Sequence, residues 1–91
     1  KDMKKKTKEQ TLPKWFKGLL YTDGETVENK FSGECYELTG TELSMYDFIM
    51  GTQWQMEIAP KTVTSEQVSD FHKALSWFRR NNAAAYMALL D

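Results

Sequence analysis

Residues 41–58, TELSMYDFIMGTQWQMEI, decide how this chain folds. The preceding Thr39-Gly40-Thr41-Glu42 supplies a helix start. Thr39 and Glu42 have the spacing of a capping box, and a start at Thr41 is equally compatible. On a helical wheel, Leu43, Met50 and Trp54 fall within roughly 40° of one another, with Tyr46 beside them. Met45, Phe48, Ile49 and Met56 make a second apolar stripe on the far side. A surface helix shows one such stripe. Two stripes imply either a central helix packed on both sides or a helix that lends one side to a partner. Gly51 sits mid-helix at a cost of about 1 kcal/mol relative to Ala, and a glycine so placed often marks close approach by another element.

On the C-terminal side, Ile58-Ala59-Pro60 stops this helix. Thr64 with Gln67 forms a second capping box. Val68, Phe71, Leu75 and Phe78 then recur at helical spacing on one face, joined by Ala74, while Trp77 points nearly the opposite way. Arg79 and Arg80 suit the negative end of that helix. Asn81-Asn82 punctuate, and a short third helix over Ala83 to Leu90 presents Tyr86, Leu89 and Leu90.

On the N-terminal side the signals are those of strands. Trp15, Phe16, Leu19, Leu20 and Tyr21 form a first apolar segment, and Asp23-Gly24 reads as a hairpin turn into Thr26–Asn29. Phe31-Ser32-Gly33 reads as a second turn, and Cys35, Tyr36 and Leu38 as a third short strand. The expectation is one α+β domain over residues 12–91. In it a small N-terminal antiparallel β-meander packs on two main helices and a short C-terminal helix. A nearly all-α domain with an irregular N-terminal half is the alternative. The expected core is Phe16, Leu20, Tyr36, Leu38, Leu43, Tyr46, Ile49, Met50, Phe71, Leu75, Phe78, Tyr86 and Leu90.

Residues 1–11 read as a basic flexible arm. Residues 1–17 carry seven lysines against Asp2 and Glu9, whereas residues 18–91 carry five bases against eleven acids. A basic arm on an acidic body suggests nucleic-acid contact through Lys4, Lys5, Lys6, Lys8 and Lys14, with Trp15 and Phe16 available for stacking; a solubilising tail is the plainer use. One cysteine allows no internal disulfide. No apolar run approaches the ~18 residues of a membrane helix, and no apolar region follows the first lysines as in a signal peptide. A cytoplasmic location is expected.

Catalytic groups are sparse. His72 is the lone imidazole, and Asp70 lies on another face of its helix. Cys35 is flanked by Glu34, which works against thiolate formation, and reads as a small core hydrophobe. Glu34, Glu37, Glu42 and Asp47 cluster in sequence without the alternation of a calcium loop, and a solvated acidic face is the simpler reading. No catalytic residue, metal or cofactor is expected. An enzymatic reading would require a deep pocket holding at least two of these groups.

The segments LPKWFKGLL (12–20), TVENKFSGECYELT (26–39), ELSMYDFIMG (42–51) and WFRRNNAAAYMALLD (77–91) resemble small uncharacterised proteins of marine tailed bacteriophages, the cyanophage type in particular. That resemblance implies a phage genome expressed in a bacterial cytoplasm and carries no activity or site residue across. The function expected from the residues is a non-enzymatic module that binds a host or phage protein or self-associates, without a membrane. Its expected interface is Met45, Phe48, Ile49, Trp54, Met56 and Trp77. Nucleic-acid binding through the lysine arm is the alternative.

Overall fold

The computed structural model describes residues 10–91. It is a small α+β fold: β1 (Glu25–Glu28), β2 (Cys35–Leu38), α1 (Gly40–Ile58), a 3-10 turn over Pro60–Thr62, α2 (Ser65–Asn81) and α3 (Ala83–Leu89). The Lys4, Lys5, Lys6 and Lys8 positions lie outside the described residues.

β1 and β2 form one antiparallel hairpin in which Val27 pairs with Tyr36 and Glu25 with Leu38. Side chains alternate across a strand. Val27, Tyr36 and Leu38 therefore share the inward face, whereas Thr26, Glu28, Cys35 and Glu37 point outward. Cys35 is accordingly exposed and is no core residue.

The hairpin reverses at Asn29–Gly33, through the turn expected at Phe31-Ser32-Gly33, whereas Asp23-Gly24 closes no hairpin. The Asn29 side-chain oxygen accepts from the Phe31 and Ser32 amides at 2.9 and 3.3 Å. Gly33 takes φ of 81°, a left-handed conformation that favours glycine. Gly24 serves close approach instead: a Cβ there would lie 1.8 Å from the Leu38 carbonyl oxygen. Residues 15–21, expected as a strand, make none. The Phe16 amide turns back to the Pro13 carbonyl at 3.1 Å. Trp15 and Phe16 then lay their rings on Phe48 of α1 at centroid separations of 6.0 and 5.6 Å. The chain beyond them leaves Leu20 74% exposed, outside the core expected for it.

Both capping boxes form. Thr39 Oγ1 accepts from the Glu42 amide and Glu42 Oε1 from the Thr39 amide. Thr64 and Gln67 repeat the exchange at the start of α2. Asn82 caps α3 by accepting from the Ala85 amide at 3.1 Å.

The buried core is Leu38, Leu43, Met45, Ile49, Ala74, Trp77, Phe78, Ala85 and Leu89. Phe16, Tyr36, Tyr46, Phe71, Leu75, Tyr86 and Leu90 pack around it, half-buried. Met50, expected inside, is 39% exposed, and Met45 and Ile49, at 0%, take the centre. Trp77 is buried as well, because the N-terminal segment crosses the side of α2 that looked free: the indole Nε1 donates to the Thr11 carbonyl at 3.1 Å.

Glu42, 4% exposed, ties three parts of the chain together. Besides its cap, its Oε2 accepts from Gln10 Nε2 at 2.7 Å and from Asn82 Nδ2 at 3.0 Å. One carboxylate thus joins the N-terminal segment, the start of α1 and the α2–α3 junction. Charge-assisted bonds of this kind are about twice as strong as neutral ones.

Candidate functional site

Helix α1 is 19 residues long, about 28 Å at 1.5 Å per residue. Each strand of the hairpin has four residues, about 13 Å. The hairpin lies beside the first half of the helix's outer side, Thr26 and Val27 sharing a depression with Leu43, Tyr46 and Asp47. Along that side exposure climbs from 7% at Leu43 through 39% at Met50 to 64% at Trp54 and 60% at Ile58. Met50, Trp54 and Ile58 follow one another at four-residue steps, so they form a continuous stripe over the last two turns of α1.

The stripe has apolar flanks. Phe31, fully exposed at the hairpin tip, shares a depression of about 350 Å3 with Tyr46, Met50, Leu89 and Leu90. Asn29 holds this tip in place by donating from Nδ2 to the Ala88 carbonyl at 3.0 Å. On the other side Leu19 lines a shallow depression with Asp47, Phe48 and Gly51. Among the described residues no other element comes within 4 Å of a Cβ built on Gly51, so the close approach expected there is not made. Burial pushes the Tyr46 phenol up from its ordinary value.

Charge on this side is mainly negative. Helix α1 contains Glu42, Asp47 and Glu57 and no Lys, Arg or His. Its C-terminal turn, the negative end of the macrodipole, holds no base. Glu28 and Asp91 line the Phe31 depression together with Lys30, and Lys61 follows in the 3-10 turn.

Of the six residues expected at an interface, Met45, Ile49 and Trp77 are enclosed in the chain's own core and present no surface. Phe48 is half-buried under Trp15 and Phe16, and Met56 is half-buried. Trp54 alone stands open. Met45, Phe48, Ile49 and Met56 thus lie on the inner side or are half-buried, Ile49 and Leu43 taking the core places expected for them, and of the expected core residues of α1 Met50 is the one left exposed. Ile58, Phe31 and Leu19 were missed; for Ile58 the four-residue step from Trp54 was the available signal.

The groups that could carry chemistry are not gathered. Cys35 lies on the outer face of the hairpin, its Sγ 3.8 Å from the Gly33 carbonyl. His72 is exposed on α2 with its ring edge-on to Phe71. Glu34 and Glu37 are exposed on the hairpin, while Glu42 is enclosed in its hydrogen bonds. Among the described residues no three His, Cys, Asp or Glu side chains converge as a metal site. No helix among them is long and apolar enough to cross a membrane. Comparison with known proteins returned no matching family model, curated protein or solved structure.

Proposed function

We propose that this protein is a non-enzymatic binding module that docks a protein partner on the outer side of α1. The observation that carries the reading is the uncovered stripe of Met50, Trp54 and Ile58. Trp is the residue most enriched at binding hot spots, and an exposed Trp flanked by aliphatic side chains on a rigid helix costs little entropy to bury. Charge selects the kind of partner. A segment with an apolar face and Lys or Arg flanks complements Asp47, Glu57 and the base-free helix end, whereas a second copy laid across the same helix sets acid against acid. If the chain is of phage origin, such a partner would be a host or phage protein.

The test is an NMR titration of the full chain with a synthetic amphipathic Leu/Lys helix. Amide shifts confined to Met50, Gly51, Trp54, Ile58 and Phe31 are expected, together with a roughly thirtyfold loss of affinity in Trp54→Ala. Shifts scattered over the surface, or an affinity indifferent to Trp54→Ala, would overturn the reading. Concentration-dependent dimers abolished by Trp54→Ala would replace the basic partner with a second copy.

A further inference from the structure

A second surface, built by other residues, has the opposite character. The N-terminal segment crosses α2 and leaves an open groove of about 410 Å3 beside it. One wall is Pro13 and Trp15; the other is the α2 strip of His72, Lys73, Ser76 and Arg80. The walls are fixed in place. The Trp77 indole anchors Thr11 at the groove's floor, the Phe16–Pro13 turn sets the position of Trp15, and Phe48 backs the Trp15 ring.

No carboxylate lines this groove among the described residues. Lys73 and Arg80 are seven residues apart on one helix side, about 10.5 Å along its axis, and Lys14 is exposed next to Trp15. Of the neighbouring charges, Arg79 lies over the Tyr86 ring at 5.7 Å and Glu66 pairs with Lys17 at 3.6 Å, and Asp70, one turn before Lys73, is not among the groove's lining residues. The result is a cationic, aromatic-walled groove on a body that is otherwise acidic. An acidic peptide would use the cations and leave the ring idle. A nucleotide uses both, its base against an aromatic side chain and its phosphate against Lys and Arg. In a duplex the base faces are stacked on one another and cannot reach Trp15.

We infer that this groove binds single-stranded nucleic acid, one base lying against Trp15 and the adjoining phosphates held by Lys73 and Arg80, with Ser76 and His72 offering hydrogen bonds. This site does not need Lys4, Lys5, Lys6 or Lys8 of the arm, though Trp15 and Lys14 are common to both readings, and it shares no residue with the outer stripe of α1.

Fluorescence anisotropy of a labelled oligothymidylate with the full chain at low salt tests it. Binding is expected to weaken as salt rises. Arg80→Gln is expected to lower affinity about fivefold and to reduce the log K against log salt slope by about 0.7, the contribution of one phosphate contact on a single strand. Trp15→Ala is expected to lower affinity about tenfold or more through lost stacking. Because Trp15 also packs on Phe48, Arg80→Gln and Lys73→Gln, both at exposed positions, provide the decision if that variant unfolds. Binding that needs Lys4, Lys5, Lys6 and Lys8 but ignores Arg80 and Lys73 would overturn the inference. So would equal affinity for duplex, or equal competition by polyglutamate. Free thymidine monophosphate distinguishes the source: a polymer site binds it far more weakly than the oligonucleotide, and equal binding per nucleotide would assign the groove to a free nucleotide instead.

Discussion

The two sides of α1 carry similar residues and meet opposite fates. On the inner side Glu42, Met45, Ile49 and Thr52 are all buried, closed over by α2 and by the α2–α3 junction. On the outer side Leu43 is buried, but Met50, Trp54 and Ile58 are not. Side-chain chemistry does not separate the two sets. Cover does: α2 and the α2–α3 junction lie on the inner side, whereas the last turns of the outer side stay exposed, and residues 15–21 add no strand but put Trp15 and Phe16 on Phe48. Apolar periodicity shows which residues avoid water on a helix. It does not show which of two apolar sides the rest of the chain closes.

The sharpest way to break this comparison is at Ile49. Its side chain is completely buried, so Ile49→Ala removes buried methyl and methylene groups and leaves a cavity. The expected loss is about 3–4 kcal/mol, read from urea unfolding. That is a large share of the ~5–15 kcal/mol that holds a domain together. A loss below about 1 kcal/mol would show that the inner side is loosely packed, and the distinction between the sides would vanish.

Glu42 sharpens the same contrast by another force. Its carboxylate accepts from Gln10, Thr39 and Asn82. Glu42→Ala leaves those donors without their acceptor and removes the reciprocal half of the capping box, while Thr39 still accepts from the residue-42 amide, for an expected loss of about 3 kcal/mol in thermal or urea unfolding. Asp47→Ala, one turn along and on the outer side, is expected to change stability by less than about 0.5 kcal/mol.

These two residues also show where the sequence was legible. The Thr39–Glu42 and Thr64–Gln67 caps were readable because each is settled by neighbours three residues apart. So were the helices they open and the identity of β2. The partners of Glu42 across the chain, Gln10 and Asn82, were not, because nothing local specifies them. The same holds for Trp77, which looks free on the α2 wheel until Thr11 arrives to accept its indole proton. Asp23-Gly24 misled for a different reason. Glycine serves both tight turns and close approach, and here it lets the chain pass against the Leu38 carbonyl. For the candidate site, Trp54 was legible only as an apolar residue of α1. That it, Met50 and Ile58 stay exposed was not, since the two stripes of α1 could be told apart only by what covers them.

Gly51 offers a smaller but two-sided test. It lies beside Trp54 on the outer side, with nothing within 4 Å of an added Cβ. Gly51→Ala is therefore expected to stabilise the isolated protein by about 1 kcal/mol through helix propensity, a rise of roughly 4–8 °C in Tm. If a docked segment packs closely over this glycine, the same variant binds the Leu/Lys helix more weakly although it folds better. A destabilised Gly51→Ala protein would mean that the outer side is covered after all.

The two tryptophans of the helical layer bring the comparison to its finest resolution. Trp77 is 6% exposed and Trp54 64% exposed. Truncating Trp77 opens the core and frees Thr11, at an expected cost of about 3–5 kcal/mol. Truncating Trp54 removes a mostly exposed ring that lies outside the core cluster of the described residues, so Trp54→Ala is expected to leave stability within about 0.5 kcal/mol of the wild type. Its emission should respond accordingly: a water-exposed indole is quenched readily by iodide, and Trp54→Ala should remove most of the quenchable fluorescence. If Trp54→Ala instead costs as much as Trp77→Ala, the ring is part of the core and the outer side of α1 offers no docking surface. If stability is unchanged while affinity for the basic helix falls, the residue contributes to binding without contributing to folding, as expected of a side chain whose cover comes from another molecule.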